Sequence, residues 1–205
     1  MKGLMKLADF SIENKIKIGG YNLIAGVDEA GRGPLAGPVC AAAVILPDGF
    51  EAEGVNDSKK LTEKKRDILY DYIIENCIAY AVEFADHKLI DEINIRNAAF
   101  KAMSLAVNNL KIKPDYVLVD GNAVKYIDIP HECVVKGDSK SLSIAAASIL
   151  AKVTRDRFMD KLDEEYPMYG FKKHKGYPTK AHYEALQKYG PCPYHRLSFN
   201  LKLNG

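Results

Sequence analysis

The feature that most constrains this chain is residues 24–38, Ile-Ala-Gly-Val-Asp-Glu-Ala-Gly-Arg-Gly-Pro-Leu-Ala-Gly-Pro. A short apolar run reaches Val27 and ends in two adjacent carboxylates, Asp28 and Glu29; a glycine-dense segment and a second apolar run, residues 39–46, follow. Apolar runs of this length bounded by glycine and proline read as strands. The stretch predicts a strand that delivers two acids to its end, a tight Gly31-Arg32-Gly33 turn, and a return strand. In a regular strand Asp28 and Glu29 point to opposite faces, so one acid can sit at the centre of a site and the other at its rim. Two carboxylates beside a bare-backbone turn suit a divalent cation next to a phosphate. On these residues alone, a solvated strand end and an ordinary turn explain the string at least as well.

The same design recurs. Residues 116–119 form an apolar run that ends in Asp120 followed by glycine, and Lys136-Gly-Asp138 stands just before a helical stretch. Each aspartate taken singly is more often a turn former. Ligands of open α/β sheets, however, gather beyond the carboxyl ends of strands. Four carboxylates converging there need a counterion, because like charges at contact oppose one another's ionisation. Mg²⁺ or Mn²⁺, hard ions that take oxygen ligands, resolves that conflict.

Along the chain, helical and strand patterns alternate. The lead-in, residues 1–20, has room for a small helix. Thr62 is a plausible N-cap for a helix to about residue 76, residues 78–84 alternate as a strand, and helical spacing runs over about 90–110. Residues 133–135 make a short strand. A long helix starts near Ser141 or Ser143 and stops before Pro167; a loop, a short helix over 179–188 and a basic tail complete the chain. This order predicts an α/β fold, a mixed sheet flanked by helices. The 205 residues suit one domain with a small appendage: a lead-in (1–20), a catalytic domain (21–165) and a basic helical C-terminal extension packing on the same site (166–205). From residue 172 onward there are seven Lys/Arg against one acid, Glu184, although the whole chain is only +2; a basic tail on an acidic body suits a polyanion, or is simply solvated. No apolar run exceeds eight residues and the N-terminus lacks a signal-peptide core, so a cytoplasmic protein without a membrane span is expected. The four cysteines (40, 77, 133, 192) are scattered, as reduced thiols are. His131 with Cys133, and Cys192 with His195, could in principle ligate zinc, but the spacing fits no common zinc module.

The string Asp28-Glu29-Ala30-Gly31-Arg32-Gly33 followed by Pro34-Leu-Ala-Gly-Pro38 resembles the signature of the type 2 ribonucleases H, the ribonuclease HII family. Val-Asp120-Gly, Lys136-Gly-Asp138-Ser, residues 143–156, Asn56-Asp-Ser-Lys-Lys-Leu61, Tyr169-Gly-Phe and His174-Lys-Gly-Tyr-Pro-Thr179 match as well, over nearly the whole chain. The resemblance implies a ribonuclease H-like fold and a metal-binding set of Asp28, Glu29, Asp120 and Asp138 holding two divalent ions, Mg²⁺ or Mn²⁺. It implies endonucleolytic hydrolysis on the 5′ side of a ribonucleotide in RNA–DNA hybrids and in DNA duplexes with embedded ribonucleotides. The products are 5′-phosphate and 3′-hydroxyl ends, and the setting is ribonucleotide excision repair and DNA replication. It also implies that Gly31, Arg32 and Gly33, together with Tyr177, sense the ribonucleotide. Glycine suits that task because it lets backbone amides approach the sugar closely, and the 2′-hydroxyl is the group that distinguishes ribose.

On the long helix Ser148, Lys152 and Arg155 share one face, which is either a solvated basic stripe or a phosphate track. Beside Asp138 it suggests Ser148, Lys152 and Thr154 as backbone-phosphate contacts, with Ser58 and Lys59 in the loop before residue 61. The stretch from Lys172, with His182, Arg196 and Lys202, is expected to hold the duplex by charge. Three rivals compete. A ribonuclease HIII-type relative needs an extra N-terminal domain that twenty residues do not hold, and a non-catalytic module on this fold would have lost an acid. A phosphoesterase for small esters leaves the basic tail unused. Residues 197–203 are too generic to mark a clamp-binding peptide, so a monomer without an obligate protein partner is expected.

Overall fold

The computed structural model describes residues 8–51, 54–55 and 61–203. Five strands form one sheet in the order β3–β2–β1–β4–β5. They are β1 (Ile24–Ala30), β2 (Val39–Ile45), β3 (Ala79–Ala85), β4 (Tyr116–Asp120) and β5 (His131–Val134). The first three form an antiparallel meander, with Val27 opposite Ala43 and Ala43 opposite Ala81. β4 and β5 then run parallel to β1, Val27 pairing with Val119 and Val119 with Cys133. The sheet is therefore mixed, and β1 is its centre. β2 is buried along its whole length, which explains why it reads as an unbroken apolar run rather than an alternating one.

Helices cover both faces. α3 (His87–Asn108) lays Ala98, Ala99, Ala102, Met103 and Ala106 on the side lined by Ala25, Val27, Val39, Ala41 and Ala43. α4 (Leu142–Glu165) and α2 (Glu63–Asn76) cover the other, where Ala42 and Val44 meet Ala145, Ala146, Ile149, Leu69 and Ile73. Small residues let α4 lie close on the sheet: a Cβ added to Gly26 would stand 2.1 Å from the Ser143 carbonyl carbon. Each covering helix starts on a side-chain cap, Thr62 for α2, Asp86 for α3 and Ser141 for α4. Inside α3, Asn94 takes φ 65° and its Oδ1 accepts from the amides of Arg96 and Asn97, so the helix stops and recaps itself mid-course.

The lead-in carries α1 (Ser11–Ile18), whose Ile16 packs with Ile24, Leu118 and Ile144. Buried Glu13 accepts hydrogen bonds at Oε1 from Ser141 Oγ (2.6 Å), Ser143 Oγ (2.7 Å) and Ser143 N (3.1 Å), holding the start of α4. Beyond α4, α5 (Phe171–His174) and α6 (Lys180–Tyr189) pack Phe171, Ala185 and Leu186 on Met159 and Leu162 of α4 and on Leu35 and Ala36 of the loop after β1. The C-terminal segment thus rests directly on the Gly-rich loop. No helix among the described residues is long and apolar enough to cross a membrane.

Candidate active site

The parallel pairing of Val27 with Val119 sets Asp28 and Asp120, the next residues, side by side at the carboxyl ends of β1 and β4. Asp120 Oδ1 accepts from Gly137 N at 2.6 Å, which docks the 3₁₀ turn Gly137–Ser139, and with it buried Asp138, against the same strand end. The residue before that turn, Lys136, takes a left-handed conformation (φ 56°) to reverse the chain into α4. Asp28 is only 6% exposed. It accepts from Glu29 N at 2.7 Å and bonds the Ser148 side chain on α4. Burial first, then the charges of Glu29 and Asp120, push the Asp28 carboxyl well above the usual carboxylate range. Burial also raises Glu29; Arg32 opposes this and the Asp120 charge adds to it.

Two carboxyls raised by burial and by neighbouring acid charge make a centre that demands a cation. Arg32 meets that demand in part, its Nε lying 2.5 Å from Glu29 Oε1. Glu29 Oε2 stays buried with no hydrogen-bond partner among the described residues, an oxygen lone-pair donor of the kind hard divalent ions take. The donor set therefore fits such an ion. Among the described residues no three His, Cys, Asp or Glu side chains are gathered into a finished cage.

Glu29 opens on a cleft of about 440 Å³ that Gly31, Arg32, Gly33, Arg66, Ser148, Lys152, Arg155 and Tyr177 also line. Gly31 has φ 99° and a Cβ there would collide with the Arg155 guanidinium at 2.1 Å, so glycine is required twice over. The Tyr177 ring lies over Gly33, 3.4 Å from where a Cβ would stand. Two buried arginines hold the loop from beneath. Arg196, 0% exposed, donates to the carbonyls of Gly37 (2.9 Å), Arg32 (3.0 Å) and Gly31 (2.7 Å). Arg155, 1% exposed, donates to those of Pro38 (3.0 Å), Ala36 (3.2 Å) and Lys175 (3.0 Å). Burial, reinforced by Arg155, lowers the Arg196 guanidinium to about 9, and it stays charged at neutral pH.

The model of the ribonuclease HII family matches residues 25–202. The chain belongs to the ribonuclease HII family. A ribonuclease HII of Caldicellulosiruptor bescii is 58% identical over 190 residues, 93% of this chain and 92% of that protein. The fold is similar to the solved ribonuclease H2 of Pyrococcus horikoshii OT3, with TM-score 0.76 and 31% identity over 88% of this chain and 95% of that one. It is also similar to Archaeoglobus fulgidus RNase HII, solved in complex with PCNA, with TM-score 0.75 and 27% identity over 90% and 98%. Like its relatives the chain is a nuclease of the ribonuclease H type.

Within this ribonuclease HII-family framework the expected substrate contacts divide. Gly31, Arg32, Gly33, Ser148, Lys152 and Tyr177 share the cleft, although the Lys152 ammonium is also paired with Asp156 at 2.6 Å. Thr154 does not line it: two residues beyond Lys152 it has turned about 200° around the helix, and its hydroxyl donates to Tyr70 on α2. Ser58 and Lys59 lie outside the described residues. Arg155, expected on an exposed stripe, is buried under the loop, and His182 and Arg196, expected on a duplex-facing surface, are fully buried. Lys172, Lys173, Lys180, Lys188 and Lys202 remain exposed. Sequence reasoning missed Arg66 as a cleft residue and the two arginine clamps; the crowding of glycines and prolines in residues 31–38 was the available hint that something must hold the loop.

Proposed function

We propose that this chain is an endonuclease that hydrolyses the phosphodiester 5′ of a ribonucleotide in RNA–DNA hybrids and in DNA duplexes with embedded ribonucleotides, leaving 5′-phosphate and 3′-hydroxyl ends. The observation that carries the reading is the shared cleft: Glu29, whose charge with that of Asp120 bears on buried Asp28 at the strand ends, opens where the glycine loop, Ser148 and Tyr177 converge. Asp28, Glu29, Asp120 and Asp138 would hold two divalent ions, Mg²⁺ or Mn²⁺, which when bound neutralise charge at the phosphate and activate the attacking water. Ser148 orients Asp28. Gly31 and Gly33 keep the loop backbone bare, and the Arg155 and Arg196 clamps occupy its carbonyls, so that the chain can meet the ribose closely. Tyr177, 44% exposed, offers its ring to the neighbouring sugar. Exposed lysines of residues 172–202 hold the duplex without regard to sequence, making the C-terminal extension part of the same working site. The simplest assembly is a cytoplasmic monomer acting on nucleic acid, in keeping with its free cysteines, and sedimentation checks the monomer.

The test is incubation with an end-labelled DNA duplex containing one ribonucleotide, with Mg²⁺, with Mn²⁺ and with chelator. A metal-dependent cut on the 5′ side of the ribonucleotide is expected, and none in the all-DNA duplex. Cutting of the all-DNA duplex, or at the 3′ side, overturns the reading.

A further inference from the structure

Beneath Tyr177 lies a histidine cluster that the chemistry above does not use. His182 and His195 are buried, their Nε2 atoms 3.0 Å apart, and His174 stacks on His182 with ring centroids 4.5 Å apart. The partners at the two ends determine where the protons sit. The Cys192 amide donates to His195 Nδ1 at 2.9 Å, the shorter of the two contacts there, the Cys192 carbonyl lying 3.4 Å away; that nitrogen is therefore the acceptor and His195 carries its proton on Nε2. At the other end His182 Nδ1 lies 3.0 Å from the Tyr177 carbonyl, which can only accept, so His182 carries its proton on Nδ1 and its Nε2 is bare. The two deductions agree in the middle: His195 Nε2–H donates to His182 Nε2. Every hydrogen bond runs the same way, from the Cys192 amide through two rings to the Tyr177 carbonyl.

We propose that His182 and His195 are positioning residues, a one-way hydrogen-bond relay that holds Tyr177 over the glycine loop. The Tyr177 peptide has few other anchors, its amide donating to His174 O (2.9 Å) and its carbonyl also accepting from Thr179 N (2.8 Å). The neighbouring Gly176 carbonyl accepts from Leu35 N at 2.8 Å, so the relay, Tyr177 and the loop after β1 form one connected unit. A proton added to His182 would set N–H against N–H and break the chain. The titratable groups facing the pair are His174 on α5, His87 at the start of α3, Cys192 and Tyr169. Burial above all, with the neighbouring histidines adding to it, pushes both rings down to about 4, which keeps the relay neutral at physiological pH.

The role in catalysis rests on the proposed function, but the relay itself does not, so the test has two arms. Nitrogen NMR of the labelled metal-free protein at neutral pH should show two neutral rings, protonated on Nδ1 in His182 and on Nε2 in His195; a charged ring or the opposite tautomers overturns the relay whatever the protein cleaves. In the second arm His182→Phe, which keeps ring volume against Phe171, should lower kcat on the single-ribonucleotide duplex about five- to tenfold with little change in duplex affinity. In a Tyr177→Ala background the same substitution should cost nothing further. An equal loss in both backgrounds would mean that His182 does not act through Tyr177. His182→Asn, whose amide can donate to the Tyr177 carbonyl from the Nδ1 position, should recover part of the loss; no recovery counts against the relay. Should the wild-type protein cut no ribonucleotide duplex, the functional reading fails while the NMR arm still decides the geometry.

Discussion

Asp28→Asn should make the metal-free protein more stable while abolishing cleavage. Asp28 is buried between Glu29 and Asp120, and its carboxyl binds a proton more tightly in the folded chain than in the unfolded one. Neighbouring strands lie about 4.8 Å apart, and two unit charges at that range repel by about 3 kcal/mol at an effective dielectric of 20. Partial protonation and the Ser148 hydrogen bond relieve some of this, so a gain of about 1–3 kcal/mol at pH 7.5 is expected, or about 2–10 °C in Tm for a domain of this size. The asparagine oxygen can still accept from Glu29 N. The sign of the pH dependence follows: the wild-type penalty is full above the raised folded value, shrinks as pH falls through it, and vanishes below the ordinary value of 3.8. Urea denaturation in chelator across that range gives the difference directly. A variant less stable than wild type at pH 7.5, or a gap that does not close on acidification, would refute the idea that these acids strain one another. Adding Mg²⁺ should then stabilise the wild type and leave the variant nearly unmoved.

Asp120→Asn should reduce cleavage by several orders of magnitude while duplex affinity, measured by fluorescence anisotropy in chelator, changes little; retained metal-dependent turnover would exclude Asp120 from the metal site. Arg196→Met leaves buried carbonyls of Gly31 and Gly37 without donors, at about 1–3 kcal/mol each, so a loss of roughly 2–6 kcal/mol in urea unfolding is expected together with poorer discrimination between single-ribonucleotide and all-DNA duplexes. Gly26→Ala forces the α4 backbone off β1 and should cost about 3 kcal/mol or more, with an insoluble or strongly destabilised product as the visible result. Tyr177→Ala should weaken cutting at a lone ribonucleotide with a smaller effect on Tm, since the ring is nearly half exposed.

The strand ends were readable because apolar runs, glycine and acid stand in linear order: residues 24–30, 116–120 and the Lys136-Gly-Asp138 turn each announce themselves. Element limits followed local chemistry, so Thr62 and Ser141 cap the helices expected there. β5 begins two residues before the apolar run because His131 and Glu132 are exposed on the edge strand and carry no burial signal. The break at Asn94 escaped notice since apolar spacing continues across it. Arg155 and Arg196 were misread for a deeper reason. Most of their partners are backbone carbonyls more than a hundred residues away, and a carbonyl has no letter in the sequence. The same holds for His182, whose Nδ1 serves the Tyr177 carbonyl. Thr154, by contrast, was legible and misassigned, since helical geometry alone separates it from Lys152.

The Glu13 carboxylate bears on how the chain is made. Its partners, Ser141 and Ser143, lie 128 and 130 residues downstream. At about 5–20 residues per second, the ribosome delivers them on the order of ten seconds after Glu13 itself. For that interval the first helix has an acid with no hydroxyls to receive, and so no burial site to enter. A helix translated well before its partners is therefore seated late, and its docking records that the chain as far as Ser143 has been completed.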